Sequence, residues 1–188
     1  MIFQILENAA LFLGLVYVWL QVKQNRWMWP VDIFCCGAII AVFAQQRLLA
    51  SMGLNIYYLI MGVIGILEWN KAEVKSSEGV KIRKMSKKTA FLSLLAFIPT
   101  LALLYFLLSA ASDPYPLTDA LIGASGVIGT VWLVRLYIEN WAVWLISDIV
   151  STILCLVSGL YLMALLYLVY TLMSIVGWRQ WKKEGRYI

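Results

Sequence analysis

"GILEWNK" at residues 65–71 returns as "GWRQWKK" at residues 177–183, and that echo decides how the chain is organised. Gly65, Trp69 and Lys71 match Gly177, Trp181 and Lys183 at one constant interval along the chain. Each copy closes an apolar run with an indole and then a lysine. A second echo lies upstream. "VWL" occurs at 18–20 and at 131–133, and each copy leads through an Asn into a Trp-rich helix start, "NRWMWPVD" (25–32) and "NWAVWLISD" (140–148). These upstream stretches align with each other only through a gap of a few residues. Two echoes in the same order predict a three-helix unit, present twice, around a single connecting helix.

Composition sets the medium in which those helices stand. Hydrophobic residues are 63% of the 188 and charged residues 13%, far below the roughly 25% charged usual for soluble domains. The apolar runs are about 17 to 22 residues long, enough to cross a hydrocarbon layer of about 30 Å. The reading is an all-α membrane protein with spans near 2–22, 27–45, 50–69, 90–110, 117–138, 141–157 and 159–178. Residues 1–71 form the first three-helix repeat. Residues 72–112 hold a basic cytoplasmic loop and the linker helix, which Pro99 is expected to kink. Residues 113–188 form the second repeat and a basic tail. An odd linker gives both units one orientation in the membrane, a parallel 3+1+3 plan similar to the sugar-carrier (SWEET-like) folds. The N-terminus lacks the charged start and cleavage site of a signal peptide, so the first run is expected to stay as a helix.

The loop "NKAEVKSSEGVKIRKMSKK" (70–88) carries seven Lys or Arg against two Glu, and the tail "RQWKKEGRYI" (179–188) is also basic. Placing both in the cytoplasm puts 14 of the 15 basic residues inside, with Arg47 the exception, and leaves "SDPYPLTD" (112–119) outside. Asymmetry of Lys and Arg sets orientation, so the N-terminus is expected outside and the C-terminus in the cytoplasm.

Few side chains carry chemistry. The chain has no histidine, which removes the commonest proton shuttle and metal ligand. Cys35, Cys36 and Cys155 lie in apolar runs without CxxC spacing, so buried thiols are expected, with no metal and no cofactor. Trp141, Trp144 and Asp148 fall within about 60° of one another on a helix. Asp148 stands about 10 Å deeper than Trp141. A carboxylate near the bilayer centre costs roughly 2.5–3.5 kcal/mol even on lenient scales, so it needs a cavity or a partner. Two indole faces and an acid suit a planar, cationic or strongly polar solute. The plainer readings are an interfacial belt for Trp141 and an interhelical hydrogen bond for Asp148. Asp32 is a second intramembrane acid at a similar depth, pseudo-equivalent to Asp148. Asn55 is the other buried polar group of interest, with an interhelical hydrogen bond as its alternative. Tyr57, Tyr58 and Tyr170 read as packing or anchoring residues, and Glu68 as a surface group without need of a partner.

With these residues in hand, the chain resembles the PnuC family of vitamin transporters over essentially its whole length. The seven-span plan, Trp141-x-x-Trp144, the Gly…Trp ends of both repeats and the short basic tail carry the resemblance. It implies a bacterial inner-membrane protein, a homotrimeric facilitator without a coupling ion. Its partners would be membrane lipids and a small vitamin, and net flux would be maintained by a cytoplasmic kinase that phosphorylates the solute. The family motif is Trp-x-x-Trp-x-x-x-Asn, whose side chains contact the substrate. Trp141 and Trp144 match it, and Asp148 stands where the riboside carriers have Asn. A glutamine expected near Asn55 is also replaced. The resemblance leads to nicotinamide riboside as solute, with thiamine as the alternative. The readings from other classes are a non-transporting structural membrane protein and an intramembrane aspartyl protease using Asp32 and Asp148. The protease reading lacks the usual neighbours, because Val31 and Ser147 precede the two acids. No enzyme activity and no nucleic-acid partner are expected.

Overall fold

The computed structural model describes residues 2–46, 49–74 and 82–184. Arg47, Lys81 and the last four residues of the tail lie outside them, so the placement expected for those residues is not described. The described chain forms seven helices: α1 (Ile2–Val22), α2 (Met28–Gln46), α3 (Leu49–Val74), α4 (Lys87–Ala110), α5 (Pro116–Val134), α6 (Asn140–Val157) and α7 (Tyr161–Glu184). Five of them, α3 to α7, contain stretches long and apolar enough to cross a membrane. The outward faces of the bundle carry large apolar side chains; Phe106 and Phe34 are about 70% exposed, as befits surfaces meeting hydrocarbon.

Three helix ends depart furthest from the apolar runs. α3 and α7 continue to Val74 and Glu184 past the expected ends at 69 and 178. The reason is that Trp69 and Trp181, near their ends, are fully buried, so inward packing outlasts the apolar run. α5 stops at Val134 instead of 138. There Leu136 adopts φ 62°, in the left-handed region, and its carbonyl accepts the N–H of Arg83 at 2.9 Å. The N–H of Ile138 returns to the carbonyl of Arg83 at 3.1 Å. This short bridge seats Ile82, wholly buried, in the core. Ser86 then caps α4, accepting from the N–H of Thr89 at 3.1 Å.

Six helices close into a ring. α1 packs on α2, α2 on α3, α3 on α5, α5 on α6, α6 on α7, and α7 back on α1, with α4 outside against α5. No residue of α4 is buried, and the Nε1–H of Trp132 ties it to α5 by donating to Ser93 Oγ at 3.0 Å. The core of the ring, at the end holding the turns after α1 and α5, is a quartet of buried indoles. Trp29 and Trp69 meet edge to face at 5.7 Å, as do Trp141 and Trp181 at 5.5 Å, while Trp69 and Trp181 lie tilted at 6.3 Å. Such pairs add about 0.5–1.5 kcal/mol each beyond area burial. Gly65 and Gly177 make room: a Cβ on either would sit against the ring of Trp29 or Trp141.

Contacts recur throughout at the interval that separates Gly65 from Gly177. Trp69 Nε1–H donates to the carbonyl of Leu133 at 3.3 Å. Trp181 stands one interval after Trp69, and its Nε1–H donates to the carbonyl of Gln21, one interval before Leu133, at 3.1 Å. Gln24 and Leu136 both turn left-handed, with φ 53° and 62°, and each N–H bonds the carbonyl three residues earlier. The sequence echoes at 18–20 and 25–32 therefore need no gap. Their apparent spacings follow shared letters, while the contacts keep to the one interval. It sets Trp29 against Trp141, Cys36 against Asp148 and Asp32 against Trp144. The expected equivalence of Asp32 with Asp148 is thus off by four residues. Four residues is close to one helical turn, which preserves the face and shifts the acid by about 6 Å.

Candidate functional site

Inside the ring lies a cavity of about 190 Å³. α6 supplies its chemistry, because one helical face carries Trp141, Trp144, Asp148 and Ser151 on successive turns. The other walls are Tyr17, Val18 and Gln21 of α1, Tyr58 of α3, Ile122 and Gly126 of α5, and Tyr167, Tyr170 and Ser174 of α7. A larger groove of about 450 Å³ between α4, α5 and α6 is lined almost wholly by apolar side chains and holds no charged residue. The smaller, central cavity alone of these two holds a carboxylate.

The three residues singled out on α6 all line this cavity. Trp141 is 1% exposed and packs on Trp181 and Gly177, so it is a core indole that also touches the cavity and not an interfacial belt residue. Trp144 is partly buried and its ring lies 3.2 Å from where a Cβ of Gly129 would stand. The Nε1–H groups of Trp141 and Trp144 are both buried without a hydrogen-bond partner. Asp148 Oδ2 accepts from Ser174 Oγ on α7 at 3.3 Å. An ionised carboxylate offers about four acceptor positions, so one such bond leaves it with capacity for a solute.

Asp32 and Asn55 stand elsewhere. Asp32 on α2 accepts from Cys36 Sγ at 3.7 Å and lies 3.6 Å from where a Cβ of Gly62 would be, outside the cavity lining. Asn55 is half-buried on α3, three residues before Tyr58, and is also outside the lining. Glu68 has a partner after all: Lys71 Nζ is 3.0 Å away on the exposed side of α3, an ion pair worth little at such a surface.

Tyr58 and Tyr170, which read as packing residues, are cavity walls. Each also crosses a seam of the ring. Tyr58 lies over Gly126 and Tyr170 over Gly14, where the hydroxyl occupies the space a Cβ would take. Tyr17, Gln21, Tyr167 and Ser174 escape the sequence reading altogether. Gln21 is buried and donates from Nε2 to Asn140 Oδ1 at 3.4 Å. One signal does mark two of the tyrosines: the interval of the Gly65/Gly177 echo also relates Tyr58 to Tyr170 and Gly14 to Gly126.

The sequence model of the family described as nicotinamide mononucleotide transporter matches residues 4–183. The nicotinamide riboside transporter PnuC of Escherichia coli (strain K12) is 22% identical over 170 residues, covering 77% of this chain and 71% of its own. The riboflavin/roseoflavin transporter RibM of Streptomyces davaonensis is 26% identical over 179 residues, covering 93% of this chain and 83% of its own. The crystal structure of the vitamin B3 transporter PnuC superposes with a TM-score of 0.77 at 20% identity, over 95% of this chain and 81% of that one. That likeness is one of fold.

Proposed function

The chain belongs to the nicotinamide mononucleotide transporter family, and from that premise we propose that it carries nicotinamide riboside into the cell as a facilitator in the bacterial inner membrane. The observation that carries the reading is the lining of the central cavity: two indoles with unpartnered N–H groups, one carboxylate, and no Lys or Arg. A pyridinium ring is flat and cationic. Indole faces attract such a cation by about 2 kcal/mol when desolvated, and Asp148 supplies the opposite charge. A phosphate group would meet the reverse. In this cavity it would find a carboxylate and no counter-charge, whereas Arg83 and Arg135 line a different cavity at the α3–α5 seam. The lining therefore supports the riboside over its mononucleotide. The small volume, below the roughly 300–1,000 Å³ usual for drug-sized ligands, supports a compact solute over a tricyclic flavin.

In this reading the solute passes unchanged, no ion is coupled, and a cytoplasmic kinase traps the product by phosphorylation. The chain is arranged as two parallel three-helix units around α4, a plan supported by the contacts that recur at the Gly65-to-Gly177 interval. The basic loop 70–88 and the tail are cytoplasmic, the N-terminus is outside, and three copies assemble in the membrane. The deciding experiment is uptake into proteoliposomes. Nicotinamide riboside is expected to equilibrate, and its mononucleotide to be excluded. Accumulation above the outside concentration under a proton or sodium gradient would overturn the uncoupled mechanism. Uptake of thiamine or riboflavin without the riboside would overturn the solute assignment.

A further inference from the structure

Hydroxyls in apolar helices commonly turn back to bond the carbonyl four residues earlier. Thr130, Thr152 and Thr171 of this chain all do so, at 2.8, 2.7 and 2.9 Å. Ser151 does not. It lies on the cavity face of α6, one turn beyond Asp148, is 3% exposed, and its Oγ has no hydrogen-bond partner. Leaving a buried hydroxyl unpaired is unfavourable, so the position calls for a group delivered from the cavity.

We propose that Ser151 is a solute-contacting, specificity-determining residue, and that with Asp148 it grips two neighbouring hydroxyls, a vicinal diol on the sugar portion of the solute. This rests on the nucleoside reading above. The chemistry of the pair is complementary to a diol. Asp148, when ionised, only accepts, and Ser174 uses one of its acceptor positions. A solute hydroxyl can therefore donate to it. Ser151 Oγ both donates and accepts, so it can take whichever role the adjacent hydroxyl leaves open. The two Cα atoms are about 4.5 Å apart along the helix axis, which lets the side chains reach oxygens on adjoining carbons. The arrangement also orients the solute. The indoles lie toward the start of α6 and the Asp148–Ser151 pair toward its end, so the ring points to the tryptophan quartet and the hydroxyls point away from it.

The test is calorimetric binding to the purified full-length protein, comparing nicotinamide riboside with its 2′-deoxy and 3′-deoxy analogues on wild type and Ser151→Ala. An unchanged thermal transition would show that the variant keeps its fold. Ser151→Ala is expected to weaken the riboside about three- to tenfold, the size of one hydrogen bond. It should leave unchanged the analogue lacking the contacted hydroxyl. Equal weakening of all three ligands, or of none, would overturn the proposal while the riboside reading stands. Wild type that binds riboflavin but not the riboside would remove the nucleoside reading alone. The comparison then runs between riboflavin and lumiflavin, which lacks the hydroxyl chain, and an equal Ser151→Ala effect on both would overturn the diol contact. Binding of thiamine alone, which has no vicinal diol, or of none of these solutes, would overturn both.

Discussion

Trp181 on α7 donates its indole N–H to the backbone carbonyl of Gln21 on α1 at 3.1 Å, across 160 residues of chain. Trp69 makes the matching bond from α3 to Leu133 on α5 at 3.3 Å. These bonds join the first three helices to the last three along both seams of the ring. Trp181→Phe keeps most of the ring contact but leaves the Gln21 carbonyl without this donor. It should cost about 1–3 kcal/mol of stability, and Trp69→Phe about the same. Thermal unfolding in detergent is the measurement. Because the two indoles lie 6.3 Å apart, the double variant should show a coupling that distant pairs lack. Unchanged transitions in both single variants would show that the seams are held by other contacts.

Trp141 and Trp144 should separate into different phenotypes. Trp141 is fully buried in the indole quartet, so Trp141→Ala should lose about 3–5 kcal/mol of stability, as large core truncations do. Trp144→Ala keeps the quartet intact and should chiefly lose solute affinity, roughly five- to thirtyfold. Calorimetry beside thermal unfolding distinguishes the two. Full affinity in a folded Trp144→Ala protein would remove that residue from the site.

Gly126 matters through its missing side chain. A Cβ there would collide with the hydroxyl of Tyr58, while the ring carbon behind that hydroxyl would be 3.3 Å away, a tight but tolerable contact. Gly126→Ala should displace Tyr58 from the cavity wall and lower uptake severalfold. Adding Tyr58→Phe removes the colliding oxygen and should restore much of the loss. A double variant as poor as the single one would place the defect elsewhere on α5.

Asp148→Asn tests what the acid contributes to solute choice. The amide still offers an acceptor to a ribose hydroxyl but no longer offsets the ring's charge, which lies a turn away, so affinity for nicotinamide riboside should fall only a few fold. A solute held through a cationic amino group or ring beside the acid would lose about 1.5–3 kcal/mol, or tenfold and more. Calorimetry with the riboside and with thiamine on both proteins gives the answer. Tight thiamine binding that vanishes with the substitution would point to the other vitamin.

Orientation is open to impermeant thiol labelling, with the native cysteines replaced by serine. Asp113→Cys should label in intact cells, and Lys84→Cys only after the membrane is opened. The reverse pattern would invert the topology.

The sequence by itself determined the medium, the helices and one face of the site. Apolar runs bounded by charges fixed seven helices, because in a hydrocarbon layer only helices and closed barrels satisfy the backbone, and runs of about 20 residues have the helix length. Spacing alone brought Trp141, Trp144 and Asp148 to one face, since those positions lie on a single helix. Tyr17, Gln21, Tyr58, Tyr167 and Tyr170 could not be read in the same way. Helices in a bilayer face lipid that is as apolar as their core, so periodicity does not reveal which side turns inward. Only closure of the ring, with α7 returning to α1 and α3 meeting α5, decided that these side chains share a cavity with α6. It also decided that Asp32 does not. One turn of helix separates Asp32 from the position matching Asp148, and a displacement that small is visible only when the partner helix is in place.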